Sequence, residues 1–309
     1  MDIQEIRVGM TRQNELIYQL GESVFPLLNR KPSPRSPYAL EQSRLGQRFN
    51  KQEILDLLSP ITTKYAHHIQ HIVNAVTQAS HTQITEPVRR RIEVWATNQR
   101  SDKLWIQGPY ERTHPSHTTF TAMCLVALAN NSNIPCLSYF CSLGVHDTAE
   151  GLYPTSQDTL TDMVKSFVVQ ILLLLPDDME ATPSLSRSRF EKLLNDPLDI
   201  EESMLLFRDL RALTPPYIHC VIDAAQELED RGDPRHTHSL YHALCTVLDI
   251  PNRSGHHAPV QERVVKGCIT SEGYVEVLAV LAERADIGKI EVDTSEELRA
   301  QDGPVSQWD

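Results

Sequence analysis

A hydrophobic stretch in the second half of the chain decides the fold: Tyr217-Ile218-His219-Cys220-Val221-Ile222-Asp223. Two prolines, Pro215 and Pro216, stand directly before it. Its residues are almost continuously apolar, which is typical of a strand that is buried on both faces of a sheet. Such strands belong to parallel sheets that carry helices on both sides. The stretch therefore predicts a buried parallel strand that ends at an aspartate.

Four more short apolar runs lie before and after this stretch, and amphipathic helical patterns separate them. The pattern predicts five strands, near residues 103–107, 134–140, 217–222, 264–269 and 289–292. The helices between them are predicted at residues 118–129, 157–175, 201–213 and 239–247. Strands that alternate with helices indicate an α/β fold. We expect a three-layer α/β domain with a largely parallel sheet over residues 103–293.

The chain before this domain has a different texture. Residues 1–100 are predicted to be all-helical, with helices over residues 1–30, 51–79 and 87–95. A basic, proline-rich segment at residues 31–37, Lys31-Pro32-Ser33-Pro34-Arg35-Ser36-Pro37, interrupts them and is interpreted as a solvated linker. After the α/β domain, residues 294–309 form an acidic tail that we expect to fray in water.

Charge and composition exclude several classes of function. The 309 residues contain 29 Lys and Arg against 41 Asp and Glu, a net charge of −12, which argues against a protein that coats nucleic acid. The longest apolar run, residues 167–175, is far shorter than the roughly 20 residues that span a bilayer, so no membrane insertion is expected. Six cysteines without a close pair, in a chain with no signal peptide pattern, predict free thiols and a cytoplasmic location.

Two segments could carry nucleotide chemistry. In the first, an apolar strand runs into Gly108 and a helix follows, as in a phosphate-binding P-loop of the form G-x-x-x-x-G-K-[ST]. Thr113 and His114 occupy the positions of its second glycine and lysine, and Glu111 adds a negative charge. We interpret the segment as a retained turn that has lost phosphate binding. The alternative is a divergent active loop in which a cation and three hydroxyls contact the phosphates: Arg112, Ser116, Thr118 and Thr119.

The second segment is the strand that ends at Asp223. A carboxylate at the end of a buried strand can hold Mg²⁺, and a glutamate four residues later, Glu227, can polarise an attacking water. Asp223 and Glu227 are therefore the candidate catalytic residues, with Asp223 as the candidate magnesium ligand. Asp also ends many buried strands as an ordinary turn residue.

Four segments, in this order along the chain, resemble the NACHT-type and nephrocystin-type P-loop domains of fungal STAND-class NTPases. They are Trp105-Ile106-Gln107-Gly108, Ser138-Tyr139-Phe140-Cys141, Asp223-Ala224-Ala225-Gln226-Glu227 and Cys268-Ile269-Thr270-Ser271-Glu272. The resemblance covers about residues 103–293 and implies a P-loop NTPase fold. It also implies that Thr270 and Ser271 lie on a sensor strand beside the nucleotide.

The chain departs from the family at its positive charges. The P-loop lysine is missing, and Glu272 replaces the arginine that would contact the γ-phosphate. We therefore expect a nucleotide-impaired STAND-like protein without a cofactor, which acts through protein partners, including intact STAND relatives. The alternative is an active NTPase that binds ATP or ADP with Mg²⁺ through the residues named above.

Histidines offer a third hypothesis. His236, His238 and His242 lie near the start of a predicted helix, where they could support a metal-dependent hydrolase. His67 and His71 also stand four residues apart on a predicted helix, but an exposed helix face explains them more simply.

Overall fold

Five strands form a single sheet in the computed structural model, which describes residues 51–66, 84–111, 115–144, 154–177, 185–195, 200–251 and 263–292. The strands are β1 (Asp102–Gly108), β2 (Cys136–Phe140), β3 (Tyr217–Asp223), β4 (Val264–Glu272) and β5 (Gly288–Glu291). Their order across the sheet is β2-β3-β4-β1-β5, and every neighbouring pair is parallel. The predicted α/β class and all five predicted strands are confirmed.

Nine α-helices accompany the sheet within the described residues. They are α1 (Lys51–Leu57), α2 (Glu86–Thr97), α3 (His117–Asn131), α4 (Cys141–Gly144), α5 (Ser156–Leu174), α6 (Arg187–Asn195), α7 (Ile200–Arg211), α8 (Pro234–Val247) and α9 (Glu276–Glu283). The sequence pattern missed α4, α6 and α9. The predicted helix at 1–30, the linker at 31–37 and the tail at 294–309 lie outside the described residues.

The helices cover both faces of the sheet, which gives three layers. On one face, side chains of α2 and α3 pack against Leu104, Ile106 and Val221. On the other face, α1, α5, α6, α7, α8 and α9 share a core with Trp105 and Ile222. The described helices that precede the sheet in sequence therefore belong to the same core as the sheet.

The longest of the described helices, α5, protects an open edge of the sheet. A capping box starts it, in which Thr155 and Asp158 each bond the other's backbone N–H. Farther along, the Gln170 amide accepts from the Ser138 N–H at 2.7 Å and donates to the Ser138 carbonyl at 2.8 Å. Ser138 lies on the edge strand β2, so this one side chain satisfies two backbone groups that no neighbouring strand reaches. Within the described helices, none has the length and apolar character needed to cross a membrane.

The topology places a crevice at the carboxyl ends of β1 and β4. The connection that follows β1 runs through α3 on one face, whereas the connection that follows β4 runs through α9 on the other. Because β1 and β4 are neighbours, the chain diverges to opposite faces between them. In open parallel sheets, ligand sites form at such a switch point, outside the carboxyl ends of the strands. Gly108, Asp223 and Glu272 all stand at this edge.

Candidate functional site

The turn after β1 is built around close packing between Gly108 and α3. A Cβ on Gly108 would stand 2.6 Å from the Thr118 methyl carbon, so only glycine fits there without a shift of the helix. Ser116 caps α3 by accepting from the Thr119 N–H at 3.2 Å. Thr118 and Thr119 are buried. Of the predicted phosphate-loop residues, Gly108, Ser116, Thr118 and Thr119 lie together, and Arg112 lies outside the described residues.

Asp223 is fully buried at the end of β3, where two hydroxyl groups bond its carboxylate. Thr119 donates to Asp223 Oδ2 at 3.0 Å, and Thr270 on the neighbouring strand donates to Oδ1. The pKa of Asp223 is raised from 3.8 to about 6, mainly by burial and to a smaller extent by the nearby charge of Glu272, while the two hydroxyl bonds and the Ala224 backbone oppose the shift. The structure therefore brings together a helix hydroxyl, a strand carboxylate and a strand hydroxyl.

A carboxylate from the chain occupies the amino end of α3. Glu111 Oε2 accepts from the His117 backbone N–H at 3.0 Å and lies 2.8 Å from His117 Nδ1. The Glu111 side chain is only 12% exposed. Helix amino ends attract anions because their N–H groups are free and the helix dipole is positive there. Glu111 thus occupies the position at which a bound phosphate would contact the helix.

A second carboxylate lies against the same turn. Glu272 at the end of β4 accepts from the Glu111 backbone N–H at 3.3 Å. The backbone N–H of Glu272 in turn donates to the Gln226 side chain at 2.9 Å. The other oxygen of Glu111, Oε1, is buried and has no hydrogen-bond partner in the described part of the chain. Negative charge is therefore concentrated where the P-loop resemblance requires positive charge.

Thr270 and Ser271, the two predicted sensor-strand residues, face opposite sides of β4. Thr270 faces Asp223, as its bond to that carboxylate shows. Ser271 accepts from Trp105 Nε1 at 2.9 Å and donates to the Gly273 carbonyl at 3.0 Å. Ser271 therefore connects β1 to the end of β4 through these two hydrogen bonds. Of the two predicted residues, only Thr270 lies at the candidate site.

Glu227 lies on a 3₁₀ helix, Ala225–Leu228, that follows β3 directly. Ala224 makes the turn with a left-handed backbone, φ 55°. Burial raises the pKa of Cys141 well above its usual value, and the charges of Asp223 and Glu227 raise it further. The carboxylates of Asp223 and Glu227 therefore both lie close enough to Cys141, just after the end of β2, to raise its pKa. Sequence reasoning did not identify His117 or Gln226 as residues of the site. His117 is the first residue of α3, directly after the capping Ser116, and this place at the helix amino end could have indicated it.

The three histidines of the metal hypothesis do not converge. His236 is buried, with Nδ1 2.8 Å from the Gln157 amide oxygen and Nε2 2.6 Å from the Leu228 carbonyl. His238 and His242 lie on the helix surface, with ring centroids 4.3 Å apart. Among the residues that the structure describes, no three His, Cys, Asp or Glu side chains are grouped to hold a metal ion. His67 and His71 lie outside those residues.

Comparison with known proteins adds no relative to this picture. No protein-family model matches the chain. No curated protein is significantly similar to it. The residues at the carboxyl edge of the sheet are therefore the basis for the functional proposal.

Proposed function

We propose that this protein is a nucleotide-impaired relative of the STAND NTPases that acts through contacts with other proteins. The observation that carries the proposal is the Glu111 carboxylate on the amino end of α3, bonded to the His117 backbone N–H at 3.0 Å. A phosphate group would need the same N–H and would meet a negative charge already in place. Among the described residues, Glu111 and Ser116 therefore already accept from the His117 and Thr119 backbone N–H groups that a phosphate would use at this helix end.

The surrounding charges support the same conclusion. Glu111, Glu272 and Asp223 form an acidic group, and the sequence contains no lysine between Lys103 and Lys165. A triphosphate placed among these carboxylates would be repelled, since two like charges about 4 Å apart cost on the order of 1 to 4 kcal/mol at the effective dielectric constants of a protein surface. The arrangement disfavours ATP and favours cationic groups.

The relationship to the STAND class is supported by where the quoted segments lie. Three of them contain Gly108, Asp223 and Glu272, which are the last residues of three adjacent strands and lie at the same edge of the sheet. Segments far apart in sequence thus meet where an open parallel sheet binds its ligand. We also propose a cytoplasmic setting, because all six cysteines are free thiols.

One observation favours a second function, an active but divergent NTPase. Thr119 and Asp223 are 3.0 Å apart, and a hydroxyl and a carboxylate in this arrangement are oxygen ligands of the kind that Mg²⁺ prefers. These two residues fit a magnesium ion that would accompany ATP or ADP and would polarise the phosphates. In this case the chain would release phosphate from ATP, and Glu227→Gln would abolish the release.

Isothermal titration with ATP and with ADP, each in the presence of Mg²⁺, separates the two functions. The proposed function predicts no saturable heat from the wild-type chain at nucleotide concentrations up to about 1 mM. Micromolar affinity that disappears in Asp223→Ala would overturn the proposal, and phosphate release that is lost in Glu227→Gln would then establish the active NTPase. Asp209→Ala, a change at a carboxylate on α7, serves as the matched control because it lies outside the site.

A further inference from the structure

Two exposed tyrosines lie at the carboxyl edge of the sheet, directly beside the candidate site. Tyr110 is 71% exposed and Tyr274 is 51% exposed. The Tyr110 ring lies against Gly273, whose φ of +81° and missing side chain make room for it; a Cβ there would stand 2.5 Å from the ring. We call Tyr110, Gly273 and Tyr274 the tyrosine patch. Exposed aromatic rings that flank a small residue are typical of surfaces that bind another chain.

The surroundings of the tyrosine patch are acidic. Glu272 precedes Gly273, and Glu276 follows Tyr274 by two residues and is exposed. Arg231, a basic residue at this edge, donates to Glu229 at 2.8 Å and to the Tyr274 carbonyl at 2.7 Å, so its charge is already paired. The patch therefore presents aromatic faces together with negative charge. Lysine and arginine side chains suit both, because they pair with carboxylates and stack on tyrosine rings.

One segment of this chain has the complementary chemistry. Residues 30–37 carry three positive charges, Arg30, Lys31 and Arg35, no negative charge, and prolines at 32, 34 and 37. Proline-rich sequences favour the extended polyproline II form, which binds to aromatic surfaces at a low entropy cost. The basic residues add attraction to the acidic edge. The charge and the proline content of the segment therefore both suit the patch.

The connecting chain is long enough for the segment to reach the patch. The start of α5 lies at the site end of the domain, where Ser156 donates to the Glu229 carbonyl. Its other end lies beside Lys51, which donates to the Leu175 carbonyl at 2.6 Å. The 19 residues of α5 span about 28 Å. Residues 38–50 can extend over roughly 43 to 47 Å. This exceeds the length of α5 and leaves enough chain for a turn at each end of the helix.

We propose that residues 30–37 dock on the tyrosine patch of the same chain. The edge that takes a triphosphate in the resembled NTPases takes a basic peptide here, because its charges are reversed. This inference rests on the proposed function to the extent that the edge holds no nucleotide.

Limited trypsin digestion of the full chain tests the docking. Trypsin cleaves after Arg30 and Arg35, and cleavage after Arg299 provides an internal reference. In Tyr110→Ser/Tyr274→Ser we expect cleavage after Arg35 to accelerate at least about fivefold relative to the reference, since two stacking contacts are lost. Leu213→Ser, which removes an exposed apolar side chain far from the patch, should leave the rate unchanged. Equal rates in wild type and the double variant would overturn the proposal.

Carbodiimide cross-linking identifies the occupant. Docking within one chain predicts a cross-link between Lys31 and Glu272 or Glu276 in the monomer, and the link should disappear in Lys31→Arg. The same link found only in a dimer would overturn docking within one chain. The nucleotide titration is independent of both measurements: tight ATP binding would defeat the proposed function while trypsin and cross-linking still decide whether the segment docks.

Discussion

At the scale of single residues, Asp223 shows how the fold accommodates a buried carboxyl group. Its carboxylate is fully buried, and its bonds to Thr119 and Thr270 only partly replace lost hydration. Burial leaves its pKa at about 6 in the folded chain, against 3.8 for the free side chain. The folded state therefore binds a proton more tightly than the unfolded state does, so this group increasingly opposes folding as the pH rises above the unfolded pKa, and the full cost is reached above the folded pKa.

This difference predicts the effect of Asp223→Asn on stability. Between pH 4 and pH 7, the wild-type chain should lose about 2 kcal/mol of unfolding free energy through this one group, whereas the amide of the variant does not ionise. The stability of the variant relative to wild type should therefore rise by roughly that amount over the same interval. Urea unfolding at several pH values measures it, with Asp209→Asn as the control. A difference that does not change with pH would show that Asp223 has no raised pKa.

Gly108 is a second residue at which the packing restricts the side chain. Because a Cβ there would stand 2.6 Å from the Thr118 methyl, we expect Gly108→Ala to destabilise the chain by about 1 to 3 kcal/mol. Thr118→Ala removes the obstructing methyl, so the double variant should recover part of the loss. Thermal unfolding of the two single variants and the double variant gives the coupling. Gly232→Ala is the control, since its nearest neighbour is an exposed Asp230 oxygen at 3.2 Å. Simple additivity at Gly108 and Thr118 would contradict this packing account.

The sequence predicted part of this residue-scale picture. Asp223 could be found because it ends an apolar run, and Glu111 could be identified as a negative charge in a loop that should bind phosphate. The contact between Glu111 and the amino end of α3 could not be predicted, since it depends on how the loop folds back onto His117. The separation of His236 from His238 and His242 depends on partners on α5 and the 3₁₀ helix, which spacing does not indicate.

At the scale of elements, strands were easier to predict than helices or strand order. Buried parallel strands are short, continuous apolar runs, so β1 to β5 stood out. The helix α6 has the sequence Arg187-Ser188-Arg189-Phe190-Glu191-Lys192-Leu193-Leu194-Asn195 and follows a Pro- and Ser-rich stretch, which hid its start. The position of β4 between β1 and β3 is a matter of tertiary packing and leaves no local pattern.

The edge strand β2 provides a prediction about elements. Gln170→Leu leaves the N–H and the carbonyl of Ser138 without their partner, so we expect a loss of about 1 to 3 kcal/mol and faster hydrogen exchange of the Ser138 amide. Ser166→Ala removes only a hydroxyl that accepts from the Gln170 amide at 3.0 Å and should have a smaller effect. Unchanged exchange at Ser138 in Gln170→Leu would mean that the amide does not protect the edge.

At the scale of the whole molecule, the position of the negative charge matters more than its total. The net charge of −12 argues against a nucleic-acid coat but indicates no chemistry. The fold places Glu111 and Glu272 on both sides of the turn at the switch point. The same edge carries the tyrosine patch. The molecule is therefore a three-layer α/β domain with negative charge at the carboxyl edge of its sheet, and the proposal of a basic partner at that edge rests on this placement.

The affinity of Mg²⁺·ATP for wild type and for Glu111→Gln/Glu272→Gln tests this account most directly. The neutral double variant keeps the shape of both side chains and removes two negative charges. We predict no saturable binding to wild type at concentrations up to about 1 mM, and binding at least about tenfold tighter in the double variant. Calorimetric titration measures both, with Glu201→Gln/Glu283→Gln, at two exposed glutamates on α7 and α9, as the control for the same change in net charge. Micromolar binding to the wild-type chain, unchanged in the double variant, would contradict the account.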